Sequence, residues 1–173
     1  FFLERSQQDP ALVYAGLKEG VEILRRVGNR WRSEGTISGV TEEVRSIVED
    51  DRGDLWLGTL FQGVIRVQDL RQQDGGWQGT VVRYGETNGL PGGAVNIRRV
   101  QNKVLFASVA GHRRFNETTN RFELSDLVDD SFADSSVSAS LLDVDRFGSV
   151  FAWYSRKNED AAIWFGAKRV GSG

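Results

Sequence analysis

A short pattern occurs twice in this chain. Asp50-Asp51-Arg52-Gly53-Asp54-Leu55-Trp56-Leu57-Gly58-Thr59 returns, altered, as Asp145-Arg146-Phe147-Gly148-Ser149-Val150-Phe151. Both read Asp-x-x-Gly-x-aliphatic-aromatic, with an apolar alternating stretch just before. Self-similarity at intervals of roughly 40 to 50 residues restricts a chain to arrays of small repeated units, because each unit must bury its apolar face against the next.

Four unequal copies emerge when the aromatic after the turn is used as the anchor. Tyr14-Ala15-Gly16-Leu17, Trp56-Leu57-Gly58-Thr59, Phe106-Ala107-Ser108-Val109 and Phe151-Ala152-Trp153-Tyr154 align, with the aromatics 42, 50 and 45 residues apart. An aromatic followed by small residues suits a strand packed closely between two sheets. The segments ahead of these alternate, as in Val44-Arg45-Ser46-Ile47-Val48-Glu49, Val95-Asn96-Ile97 and Val137 to Leu142, which predicts β-strands. The Asp-x-x-Gly element predicts a tight hairpin, since Asp bonds nearby backbone amides and Gly accepts a positive φ.

A third strand is predicted after a glycine, at Gly20-Val21, Gly63-Val64 and Gly111 before Arg114-Phe115, and a fourth ends at Arg30-Trp31, Arg83-Tyr84 and Arg121-Phe122. Four short strands in about 45 residues predict the blade of a β-propeller. The expected fold class is therefore all-β, a propeller fragment of about four blades with four antiparallel strands each. The approximate blades are 11–37, 38–88, 89–127 and 128–173. A single β-sandwich with irregular strands is the alternative that alternation alone also allows. The stretch from Val128 to Ser136 reads as an exposed loop, and Asp69 to Gly79 as a wide hairpin tip that puts Trp77 in a loop.

Composition narrows function by exclusion. Twenty-two Lys and Arg stand against 24 Asp and Glu, a net charge of −2, so no basic footprint for nucleic acid is expected. The chain has no cysteine, which removes disulfides and thiolate metal sites and fits either a reducing compartment or a bacterial periplasm. No apolar run of about 18 residues exists to span a membrane. The sequence opens on Phe1-Phe2 without Met, and is expected to be an internal piece of a longer protein.

Residues 44–67, with Ser46-Ile47-Val48-Glu49-Asp50 and Gly53-Asp54-Leu55-Trp56-Leu57-Gly58-Thr59, closely resemble the two-component regulator propeller repeat. Asn88-Gly89-Leu90-Pro91 resembles the linker that precedes the next repeat in that family, and Phe106 to Phe122 resembles its continuation, although Gln101-Asn102-Lys103 stands where the Asp-x-x-Gly turn belongs. The resemblance covers about residues 11 to 170. It implies a seven-bladed sensor propeller in the periplasmic part of a bacterial membrane signalling protein, coupled to a histidine kinase or cyclase output that lies outside this segment. Several members sense oligosaccharides. The implied partners are a small-molecule or oligosaccharide ligand, the remaining blades of the same chain, and a second receptor copy in a homodimer, with no nucleic acid.

Each residue that could carry chemistry also has a structural role open to it. Glu49, Asp50 and Asp51 could be offered as acid–base carboxylates for a glycosidic bond, but their place at a hairpin makes a turn aspartate the better reading. His112 is the only histidine and has no Cys or second His to form a metal site, so no catalytic residue, metal or cofactor is expected. Gly75-Gly76 and Gly92-Gly93 lack the Lys-Ser/Thr of a phosphate loop and are read as turns. Trp31 and Trp56 sit at recurring aromatic positions, which favours packing between blades. Propeller ligands generally meet the face carrying the loops between second and third strands. The expected ligand-contacting residues are therefore Lys18, Glu19, Phe61, Gln62, Arg156, Lys157 and Asn158. The leading expectation is a non-catalytic, ligand-sensing segment. A propeller enzyme (a glycoside hydrolase or a streptogramin-lyase-like protein) and a protein-interaction scaffold are the alternatives.

Overall fold

The structure is a computed structural model that describes the backbone of residues 2–73, 76–100, 102–125, 137–144, 149–156 and 163–169, with side chains described up to residue 125. Its strands form four separate antiparallel sheets, each made from consecutive strands. The first holds β1 (Phe2–Arg5), β2 (Leu12–Gly16), β3 (Val21–Val27) and β4 (Arg30–Thr36). The second holds β5 (Val44–Glu49), β6 (Leu55–Thr59), β7 (Val64–Gln73) and β8 (Gly76–Tyr84). The third holds β9 (Asn96–Val100), β10 (Lys103–Ser108), β11 (Gly111–Asn116) and β12 (Arg121–Leu124). Three strands of the fourth are described: β13 (Val137–Val144), β14 (Ser149–Arg156) and β15 (Ile163–Arg169). The first sheet starts at Phe2, ahead of the 11–37 unit expected from the sequence.

How the sheets meet separates a propeller from a sandwich. The leading strands β1, β5, β9 and β13 run beside one another in that order. One apolar cluster fills the gap between the first two sheets, with Tyr14, Ile23, Ile47, Leu57 and Ile65 at its centre. A second cluster, on the other side of the middle sheet, joins Val48, Trp56, Val64 and Tyr84 to Ile97, Phe106 and Phe122 of the third. The second sheet thus buries both of its faces against different neighbours, and β6 is buried at every residue. That is a fan of blades, and the chain is a β-propeller fragment of about four of them.

Close approach explains the small residues after each aromatic. A Cβ built on Gly16 would lie 2.9 Å from the Val44 carbonyl oxygen of the next blade, and one on Gly58 would lie 2.2 Å from that of Val95. These two glycines occupy equivalent positions, and Ala107 takes the same place in the third sheet. It follows that Phe106 corresponds to Leu57 and not to Trp56. Phe106 faces back towards the second sheet, and Trp56 faces forward to meet it. A shift of one residue along a strand exchanges the two faces, so the aromatic anchor misaligns the third copy by one position.

Two further expectations change. Trp31 opens β4 and is 51% exposed, so it does not pack between blades. Trp77 lies within β8, 7% exposed, in the cluster between the first two sheets. The β7–β8 ladder continues past the end of the blade, with a register shift between Gln68 and Arg71 where Asp69 adopts φ +52°. Beyond the shift, the Trp77 carbonyl accepts from Ser38 N at 2.9 Å, and Trp77 pairs with Ile37. The extension is thereby fastened to the blade before it.

Candidate functional site

Each blade offers two ends, and the chain alternates between them. At one end lie the loops between second and third strands and the linkers between blades. Lys18 and Glu19 are exposed in the β2–β3 loop, which is held by Leu17 N donating to the Gly20 carbonyl at 2.9 Å. Phe61 and Gln62 are exposed in the β6–β7 loop, where Gln62 N donates to Thr59 Oγ1 at 2.8 Å and Thr59 Oγ1 donates to the Gly63 carbonyl at 3.0 Å.

The same linker anchors both loops. Gly20 N donates to the Glu42 carbonyl at 2.9 Å, and Leu60 N to the Glu43 carbonyl at 3.1 Å. Phe61 is 71% exposed, and Gln62 forms a backbone bridge to Gly93 in the next linker. Among the described residues, no hydrogen bond or ion pair ties the side chains of Lys18, Glu19 and Gln62. Arg156 closes β14, while Lys157 and Asn158 lie outside the described residues.

The opposite end carries the Asp-x-x-Gly turn. Asp50 Oδ1 accepts from Arg52 N and Asp54 N, both at 3.0 Å, and Asp50 Oδ2 accepts from the Trp56 indole at 2.9 Å. Gly53, at φ +85°, closes the turn with its N–H on the Asp50 carbonyl. The neighbouring acids are engaged as well. Glu49 is buried and receives Ser6 Oγ at 3.1 Å, Tyr14 OH at 3.2 Å and Gln7 N from the first blade. Burial, reinforced by the Glu49 carboxylate and opposed by the Ser6 bond, pushes the Tyr14 phenol up to about 12. Asp51 pairs with Arg99 of the third blade at 2.6 Å. Each carboxylate of the Glu49-Asp50-Asp51 run therefore joins a turn to itself or one blade to another.

Arg66 runs through the centre of this end. Only 2% exposed, it places its guanidinium 4.5 Å from the centre of the Trp56 ring. Its Nε donates to Asp54 Oδ2 at 2.8 Å and its Nη1 to Glu117 Oε2 at 3.1 Å, across the gap between blades. Arg52 also binds Glu117. Burial alone would raise the Glu117 carboxyl, but the Arg66 and Arg52 bonds outweigh it and lower its pKa. His112 is buried on β11, and burial pushes its imidazole down to about 4, so it is neutral near pH 7. Among the described residues, no group of three or more His, Asp or Glu is arranged to hold a metal ion.

Residues 38–61 match the family model described as two component regulator propeller. This segment is a two component regulator propeller repeat. The regulator propeller repeat takes in the linker after the first blade, β5, the Asp50 turn, β6 and the exposed Phe61. The family's description is of a regulator domain and is not that of a known catalytic family. No curated protein matches the chain.

Sequence reasoning missed a cleft beside the regulator propeller repeat. Between the second and third blades, at the Asp50 end, lies an open cavity of about 290 Å3. Trp56, Phe106 and Phe115 line it along with Arg52, Lys103 and Glu117. Its residues come from positions as far apart as Asp50 and Glu117, and no local pattern joins them. The only available sign was that Lys103 and Arg114 flank the third copy's aromatics.

Proposed function

We propose that this chain is a ligand-sensing propeller segment of a bacterial signalling receptor, without catalytic activity of its own, and that it contacts an oligosaccharide through the loop end of its blades. The carrying observation is Phe61, a largely exposed ring held by the Thr59 hydrogen bonds on a loop inside the regulator repeat. An exposed aromatic face stacks well on the apolar face of a sugar, and a neighbouring amide such as Gln62 can bond its hydroxyls. Lys18 and Glu19 extend the same end by one blade. Arg156, at the end of β14, belongs to the same proposed surface, as do Lys157 and Asn158 on the sequence alone.

The non-catalytic reading is supported by the engagement of Glu49, Asp50 and Asp51, each of which would have to abandon a structural contact to act on substrate. In this reading the receptor is periplasmic, completes its propeller with further blades of the same chain, and works as a homodimer. A ligand switches such a receptor only through unequal affinity for its two arrangements.

The experiment is calorimetric titration of the chain and of Phe61→Ala with a panel of neutral oligosaccharides, with chromatography of the recovered sugars. The proposal expects a saturable ligand, at least tenfold weaker binding by the variant, and unaltered sugar. Equal binding by both proteins would remove Phe61 from the site, and cleaved sugar would favour the propeller-enzyme reading.

A further inference from the structure

The cleft between the second and third blades lies at the end of the fan opposite Phe61, and the sensing proposal leaves it without a role. Its acidic groups are already satisfied: Asp50 accepts three N–H donors, and Glu117 is held by Arg66 and Arg52. Lys103, at the mouth, makes no hydrogen bond or ion pair with any described residue. The electrostatic demand left in the cleft is for negative charge.

The aromatic lining sets the rest of the ligand. The Trp56 ring is only 2% exposed, with the Arg66 guanidinium over it at 4.5 Å and Tyr84 stacked on it at 5.8 Å. Phe106 meets Trp56 edge to face, and Phe115 leans against it at 5.1 Å. A sugar needs an open ring face to stack on, and the Trp56 ring has none to offer. Ring edges carry partial positive charge and favour the π-face of a flat ligand or an anionic oxygen. The volume is at the lower end for small-molecule pockets and would hold roughly ten waters or a ligand of that bulk.

We infer that this inter-blade cleft is a second binding site, selective for a small aromatic carboxylate, whose ring packs against the partly exposed Phe115 and Val104 and whose carboxylate meets Lys103. Because the Arg52–Glu117 and Arg66–Glu117 pairs bridge the same gap, an occupied cleft ties the second blade more firmly to the third.

The test uses benzoate and its uncharged analogue benzamide, titrated into the 15N-labelled chain while the Trp56 indole N–H signal is followed. Benzoate is expected to shift this signal saturably, with benzamide at least tenfold weaker. Lys103→Gln, an exposed substitution, is expected to weaken benzoate three- to tenfold while leaving benzamide unchanged. Val104→Trp, which fills the cleft, is expected to abolish binding of both, with retained aromatic dispersion showing that the variant is folded. Equal binding of the two probes, indifference to Lys103→Gln, or an unmoved Trp56 signal at 20-fold excess of benzoate over the chain would each overturn the assignment.

Discussion

The Trp56 and Phe106 rings meet edge to face across the gap between the second and third blades, with centroids 5.2 Å apart and planes at 75°. Tyr84, Phe115 and Phe122 close around the same pair. Trp56 is therefore the hub of the contact between these blades. Its indole N–H also ties that hub to the Asp50 turn. Trp56→Ala is expected to cost about 3–5 kcal/mol in urea denaturation, the usual range for deleting a large buried aromatic. A loss below about 1 kcal/mol would mean that the blades are held elsewhere.

Blade spacing makes a separate prediction at Gly58. A Cβ there would sit 2.2 Å from the Val95 carbonyl oxygen and 2.3 Å from Ser46 Oγ, and that hydroxyl is itself bonded to Ile97 N at 2.9 Å. Gly58→Ala must push two blades apart or break that bond, at a cost of about 2 kcal/mol or more. Gly28→Ala serves as the comparison. Its Cβ would meet nothing within 4 Å, and only its φ of +62° disfavours the change, which is expected to cost about 1 kcal/mol. Thermal melts of the two variants should rank in that order.

Arg66 is expected to behave as a buried charge with essential partners. Arg66→Ala leaves Asp54 buried without its cation, and is expected to cost about 3–5 kcal/mol. Glu117 is exposed, so Glu117→Ala should cost only about 1 kcal/mol. A double-mutant cycle should show positive coupling between them. Additive losses would mean that the Arg66–Glu117 bridge contributes nothing across the gap.

His112 gives the fold an acid-side slope. Its imidazole titrates near 4 in the folded chain and near 6.5 when unfolded, so the unfolded chain binds more protons between those values. Stability should accordingly be intact above pH 6.5 and fall as the pH drops towards 4, by up to about 3 kcal/mol from this residue. The lowered Glu117 and Glu42 carboxyls add their own losses below their unfolded value of 4.5. In His112→Gln, urea midpoints measured from pH 7 to 4.5 should lose most of the slope. An unchanged slope would assign it to other groups.

Much of this was legible in the sequence, and the failures share a cause. The Asp50 turn was readable because its chemistry is local: an aspartate, a glycine at positive φ and a following strand. The number and order of strands followed from glycines and alternation. The facing of Phe106 did not, because a strand buried on both sides carries no period-two signal. The turns before the two aromatics also differ. Five residues separate the paired Glu49 and Leu55, and two separate Val100 and Lys103, an odd difference that reverses the faces. Trp77 was hidden by the glycines at the hairpin tip, and the long ladder around it is visible only once the first blade is there to receive it. Arg66 and the cleft depend on Glu117, 51 positions away. Nothing local in the sequence brings those residues together.

The central claim is that the second sheet is a blade between two neighbours, with separate apolar clusters on its opposite faces. Aromatic nuclear Overhauser contacts in the selectively labelled chain test it most directly. Trp56 should contact Phe106, Phe115, Phe122 and Tyr84, while Tyr14 contacts Ile23 and Ile47 and not Phe122. A contact between Tyr14 and Phe122 would mean that the two clusters are one continuous interior, and would contradict the fan of blades.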